Sequence, residues 1–94
     1  MKHLFIVNPI AGGRDSTEDV RRKVEAAFRS REGEYEIYVT EGPMDACRKI
    51  REDAAACEHL RVYACGGDGT FNECVNGAAL QPTVAVTSPK RSRR

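Results

Sequence analysis

The 94-residue sequence carries 15 Lys and Arg against 14 Asp and Glu, with 40% hydrophobic and 31% charged residues. This is the composition of one small globular domain; it excludes a low-complexity chain, and no apolar run approaches the roughly 18 residues that a membrane helix needs. The formal charge of +1 hides an asymmetry, because Lys90, Arg91, Arg93 and Arg94 leave 11 basic residues to balance all 14 acids before them. The body is mildly acidic, and residues 89–94 read as a basic, solvated, disordered tail with no nucleic-acid partner expected.

At the amino end, "HLFIVNP" is a short continuous apolar run stopped by Asn8-Pro9, the habit of a strand buried on both faces in a parallel sheet. Its apolar part, Leu4 to Val7, is too short for the core of a signal peptide, so a cytoplasmic location is expected. The glycine pair Gly12-Gly13 turns the chain. Asp15 then stands three residues before Glu18 as a helix-start pattern, and Val20, Val24, Ala27 and Phe28 repeat on one helical face. "YEIYVT" alternates and is rich in β-branched and aromatic residues, which predicts a second strand ending at Thr40. Pro43 suits the first turn of a second helix, along which Met44, Cys47, Ile50, Ala54 and Cys57 keep helical spacing to about His59.

"LRVYAC" is a third strand that runs directly into "GGDGT", and "FNECVNGAAL" behind it places Phe71, Cys74, Val75 and Ala78 at helical spacing. "TVAV" is a fourth strand. The order β-α-β-α-β-α-β predicts an α/β fold, a doubly wound parallel sheet with right-handed crossovers, occupying residues 1–88. Cys47, Cys57, Cys65 and Cys74 contain no C-x-x-C pair, and His3 and His59 stand near none of them in ligand spacing. Buried, reduced thiols are expected rather than a zinc site.

Ligands of open α/β sheets bind beyond the carboxyl ends of the strands, which brings three loops to one edge: Asn8 to Arg14, Thr40 to Pro43, and Gly66 to Asn72. The third is the richest, since a turn needs one or two glycines and gains nothing from Asp68, Thr70 and Asn72 beside them. Neither glycine loop has the Gly-Lys-Ser/Thr ending of a Walker loop, and a dinucleotide fingerprint beginning at Gly67 would need glycine where Asn72 stands. A different phosphate loop is expected, in which backbone N–H groups from Gly66 to Thr70, the following helix terminus and the Thr70 hydroxyl hold phosphate oxygens. Asp68 would repel such a ligand by itself; a Mg²⁺ ion arriving with nucleotide phosphates turns that opposition into a bridge, and Arg14 could meet the phosphates from the first loop.

"NPIAGG" after strand one, Thr40 at the end of strand two and "GGDGTFNECVNG" after strand three resemble, in that order, the diacylglycerol kinase catalytic-domain family of bacterial lipid kinases, eukaryotic diacylglycerol kinases and sphingosine and ceramide kinases. The resemblance implies an ATP-dependent kinase acting on a lipid hydroxyl, with Asn8, Pro9, Ile10, Ala11, Gly12, Thr40, Gly66, Gly67, Asp68, Gly69, Thr70, Phe71 and Asn72 as ATP-contacting positions and Asp68 in the metal-linked part. "GGDGT" is also shared with NAD kinases and is similar to the loop of ATP-dependent phosphofructokinases; Asn-Pro-x-Ala-Gly, Asn72-Glu73 and Asn76-Gly77 look like the lipid-kinase branch. After strand four the family continues with a Gly-Thr-Gly-Asn-Asp-Phe type motif and a β-rich second domain, whereas this sequence reads "VAVTSPKRSRR". By resemblance the lipid site and the general base lie in that further part, so the expectation is a nucleotide-binding half with no catalytic residue of its own, inactive alone, whether a truncated chain, a frameshifted one or a natural short protein. Peripheral membrane contact and a homodimer are compatible with the family. The competing readings are a non-catalytic nucleotide-binding or interaction module and an NAD kinase fragment.

Overall fold

The computed structural model describes residues 1–9, 17–28 and 34–87, with Glu34 by its backbone. Ile10, Ala11, Gly12, Arg14, the Asp15 cap and the basic tail 89–94 lie outside the described residues. The elements run β1 (Lys2–Val7), α1 (Thr17–Phe28), β2 (Glu34–Val39), α2 (Asp45–Ala56), β3 (Leu60–Cys65), α3 (Asp68–Ala78) and β4 (Val84–Thr87). The strands form one sheet in the order β2-β1-β3-β4, and every pairing is parallel.

β1 is central, as its unbroken apolar run requires: Leu4, Phe5, Ile6 and Val7 are all buried. The period of two then sorts side chains between the faces. Leu4, Ile6, Leu60, Val62 and Ala64 pack with Ala46, Ile50 and Cys74 of α2 and α3, while Phe5 packs with Val24 and Phe28 of α1, joined by Ile37 and Tyr63. Helices therefore cover both faces, and the doubly wound architecture is present. From β1 the chain leaves through α1 toward β2, and from β3 it leaves through α3 toward β4. Neighbouring carboxyl ends whose connections depart in opposite directions leave a crevice between them, which is where this class of sheet binds ligands.

Several local expectations are corrected. The second helix begins at Asp45 rather than near Pro43, because Met44 adopts φ 68° and ψ 0°, a left-handed conformation that cannot continue a helix, and it ends at Ala56 rather than near His59. Met44 is accordingly exposed rather than on the apolar face. The third helix begins at Asp68 rather than at Phe71, with Gly67 as its N-cap, so "DGT" is its first turn rather than loop, and Glu73 lies well inside it. That shift rotates the buried face onto Thr70, Cys74 and Gly77 and leaves Val75 exposed. The helix ends at Ala78, and Leu80, read above as helical, stands exposed at φ 64°. In α1, Ala27 is exposed although Val24 and Phe28 are buried. Of the cysteines, Cys47 and Cys74 are buried, Cys57 and Cys65 half-buried, and all four are free thiols.

One polar feature was not visible in the sequence. On the α2 face, Lys2 Nζ donates to Glu36 Oε1 at 2.7 Å and to Asp53 Oδ2 at 2.9 Å, while Lys49 Nζ lies 3.1 Å from Glu36 Oε2 and 3.3 Å from Asp53 Oδ1. Two ammonium groups and two carboxylates thus close a square across β1, β2 and α2. Burial works against a charged Lys2, but the Glu36 and Asp53 partners outweigh it and raise its pKa above the ordinary lysine value.

Candidate functional site

At the carboxyl edge, β1 is held on both sides to its last residue and beyond. The Asn8 N–H donates to the Cys65 carbonyl at 3.3 Å, and Thr40 donates to the Val7 carbonyl through its N–H at 2.9 Å and its hydroxyl at 3.3 Å. Asn8 and Thr40 are therefore pinned by the ends of the three strands. Above them opens a cleft of about 610 Å³, lined by Asn8, Pro9, Thr40, Glu41, Gly42, Pro43, Ala46, Gly67, Gly69, Thr70 and Glu73.

One wall is the first turn of α3. Gly67 caps it in an extended conformation, φ −91° and ψ −166°, and no side chain caps the helix. A Cβ added at Gly67 or Gly69 would find nothing within 4 Å among the described residues. Gly66 is different, since a Cβ there would lie 2.5 Å from Thr70 Oγ1 and 2.9 Å from its Cβ; the buried Thr70 folds back over the Gly66 backbone. Asp68 is exposed at the first residue of α3, where a carboxylate faces the positive end of the helix dipole. That placement accounts for an acid among the glycines before any metal is invoked.

The other wall is the turn before α2. The Glu41 N–H donates to Asp45 Oδ2 at 2.9 Å, the same oxygen accepts from the Tyr38 hydroxyl at 2.9 Å, and Oδ1 accepts from Arg48. The Glu41 N–H first, then Arg48 and Tyr38, hold the Asp45 carboxyl below the usual carboxylate range. This wall is tied to α3 by the Met44 N–H, which donates to Glu73 Oε2 at 3.1 Å. Burial pushes the thiols of Cys65 and Cys74 up to about 11 and about 12, so both are protonated at neutral pH and neither is an activated nucleophile.

Of the expected contact positions among the described residues, the structure brings Asn8, Pro9, Thr40, Gly67, Gly69 and Thr70 together around the cleft. Gly66, Asp68, Phe71 and Asn72 are not among its lining residues, and Phe71 packs instead against the core of the α2 and α3 face. Glu41, Gly42, Pro43, Ala46 and Glu73 line the cleft without having been singled out as contacts. Glu73 was findable. Gly69, Thr70 and Glu73 keep the i, i+1, i+4 spacing of one helical face, a signal hidden by starting the helix at Phe71. Among the described residues no basic side chain lines the cleft, and no group of three or more His, Cys, Asp or Glu could hold a metal ion. No helix among them is long and apolar enough to cross a membrane.

Comparison with known proteins places the chain. It is 33% identical over 76 residues to a protein of Streptococcus pneumoniae named "Putative lipid kinase" and 35% identical over 80 residues to "Putative lipid kinase YtlR" of Bacillus subtilis, covering 81% and 82% of this chain. It spans only about a quarter of those relatives, 25% and 26% of their lengths. The fold is similar to a crystal structure of a diacylglycerol kinase from Bacillus anthracis, with a TM-score of 0.61 and 34% identity, covering 90% of this chain and 31% of that one. Residues 2–88 match the diacylglycerol kinase catalytic domain, so the sheet, the glycine turn and the cleft described above are those of a chain that belongs to that family.

Proposed function

We propose that residues 1–88 form the nucleotide-binding half of an ATP-dependent lipid kinase, and that the carboxyl-edge cleft receives the ATP phosphates. The observation that carries this reading is the space above Gly67 and Gly69, open among the described residues. Neither packing nor a positive φ demands glycine at Gly67, and bare backbone at an uncapped helix start lets an anion reach the N–H groups that have no partner within the helix. The lining residues fit a polyphosphate that brings its own cation: two carboxylates, Glu41 and Glu73, face the cleft, and no basic side chain among the described residues does. Mg²⁺ takes one or two carboxylates and leaves its other positions to phosphates and water, so the exposed Asp68 could hold it without a preformed protein cage. Bound there, the metal would neutralise phosphate charge; the chain's own part is to position the phosphates and present N–H donors to them.

The 94-residue chain by itself is expected to bind ATP and not to phosphorylate a lipid. Phosphoryl transfer needs an acceptor hydroxyl held in line and a base within hydrogen-bond reach. Of the acids at the cleft, Glu73 is engaged with Met44, and the apolar faces of the described helices are spent on the sheet. Titration of the purified chain with ATP and Mg²⁺, beside NAD as competitor ligand, tests the reading. Binding of ATP that strengthens with Mg²⁺, and loses that dependence in Asp68→Asn, supports it; binding of NAD without ATP sinks it. Transfer of labelled phosphate to diacylglycerol in micelles by this chain would overturn the inactivity.

A further inference from the structure

We infer that Glu73 is a positioning residue: by accepting the Met44 N–H it latches the Glu41–Pro43 wall of the cleft to the helix that carries Gly69 and Thr70, and so sets the width of the nucleotide site. The consequence for binding rests on the nucleotide-binding reading above; the latch itself rests on geometry alone. Met44 holds φ 68°, a conformation that costs any residue with a Cβ, and the residue is 57% exposed, so burial does not repay that cost. Nor does a cap, for the start of α2 has no side-chain cap bond. The turn supplies the cause: Gly42 to Asp45, with Pro43 second and the Asp45 N–H closing on the Gly42 carbonyl, form a type II turn that sets Met44 in this conformation, and the turn leaves the Met44 N–H directed at Glu73 Oε2, 3.1 Å away across the gap between α2 and α3.

The turn on the far side of that bond is otherwise closed upon its own helix. The Glu41 N–H goes to Asp45 Oδ2, the Asp45 N–H to the Gly42 carbonyl at 3.3 Å, and the Arg48 N–H to the Met44 carbonyl at 3.1 Å. These bonds join the wall to α2, and Glu73 gives it a hydrogen bond to the opposite wall. On α3, Glu73 stands one turn after Gly69, so the same helix presents the bare backbone and holds the latch. Loss of the bond would leave the Gly42–Asp45 turn bonds to hold Met44 by themselves, and would let Glu41, Gly42 and Pro43 shift relative to α3.

The latch needs an acceptor and not a charge, which separates it from a base or a metal ligand. Glutamine at this position keeps a carbonyl oxygen for the Met44 N–H, whereas alanine removes the acceptor at a helical site it otherwise suits. Without ligand, amide hydrogen exchange in the full 94-residue chain should show the Met44 N–H exchanging about tenfold faster in Glu73→Ala, with β1 and β3 amides unchanged, and close to the parent rate in Glu73→Gln. With ATP and Mg²⁺, Glu73→Ala should bind about tenfold more weakly, Glu73→Gln within about threefold of the parent, and Met44→Gly added to Glu73→Ala should recover most of the loss, because glycine takes the left-handed conformation unaided. Unaltered Met44 exchange in Glu73→Ala overturns the latch, as does Glu73→Gln binding as poorly as Glu73→Ala, which would assign Glu73 a direct charge role. If the parent chain binds no nucleotide, the functional reading fails and the exchange measurement still decides the latch.

Discussion

At the carboxyl end of α3, a Cβ on Gly77 would stand 3.1 Å from Cys47 Cα and from Ile50 Cβ and 3.2 Å from the Cys47 carbonyl; at the amino end of the same helix, a Cβ on Gly67 or Gly69 would meet nothing within 4 Å. The first glycine lets two helices touch and is filled by protein. The others leave a gap that none of the described residues fills, at the point where the sheet topology opens a crevice. One residue type thus serves packing at one end and vacancy at the other, and the distinction lies in what surrounds the missing Cβ. The start of α3 accepts a poorer helix beginning, with glycine as N-cap and glycine again in the first turn, to keep that backbone bare.

The comparison breaks first at its packed end. Gly77→Val pushes a branched side chain against the Cys47 backbone, which has no rotamer to yield, and should destabilise the domain by about 3 kcal/mol in urea denaturation. An unchanged midpoint would mean the α2 and α3 seam is looser than described. Asp53→Ala should cost about 2 kcal/mol, since it leaves Lys2 and Lys49 to share Glu36 alone, while nucleotide affinity stays unchanged because the ionic square is separate from the cleft. A fall in affinity equal to the fall in stability would instead couple the two regions.

The same square gives the acid limb a sign. Burial alone would raise the Glu36 pKa, but Lys2 and Lys49 outweigh it and hold the group below its ordinary 4.5. A depressed carboxylate contributes stability that is present above the unfolded value and is lost as pH falls through the folded value. Glu36→Gln should therefore be less stable than the parent by about 1 kcal/mol at neutral pH, with the gap closing as pH drops below 4.5. A gap that persists in acid would show that Glu36 acts through packing rather than charge.

The strands were legible because each is a compact apolar or alternating run with a clear stop: Leu60–Cys65 has the expected bounds, and Leu4 to Val7 is buried as its composition requires. The layering followed from their order. What was hidden is where distant or non-local forces decide. Lys49 and Asp53 are one helical turn apart, but Lys2 and Glu36 are remote from them and from each other, and the four meet only through the parallel register of β1 on β2 and the packing of α2 above them. The left-handed Met44 is signalled by its neighbour rather than by itself: methionine does not favour that conformation, but Pro43 before it suits the second position of a type II turn as well as the helix start expected there. The early start of α3 runs against the propensity of Gly67 and Gly69; packing of Thr70 and Cys74, and an acid in the first turn, override it. Of the cleft, Asn8, Pro9, the loop from Thr40 to Pro43, Gly67, Gly69 and Thr70 could be read from motif and topology, but the place of Glu73 in the lining and its tie to Met44 needed the helix starts to be right.

The smallest change in stability tests the vacant end most directly. Gly67 has the backbone conformation of an ordinary N-cap, extended rather than left-handed, so serine fits there without strain. Its hydroxyl could accept from the N–H of Gly69 or Thr70, satisfying donors that the glycine cap leaves to other partners, and the unfolded chain would lose glycine's extra freedom. Gly67→Ser should therefore stabilise the domain by between about 0.5 and 1 kcal/mol in urea. The same hydroxyl takes the donors that a phosphate would use and occupies part of the space a phosphate would enter, so ATP affinity by calorimetry should fall about tenfold. Stability and affinity moving in opposite directions would identify Gly67 as a residue kept for its ligand at the expense of its helix. A rise in stability with affinity unchanged would detach the glycine from ligand binding, and a loss of stability would mean that Gly67 is held in place by contacts that its extended conformation does not reveal.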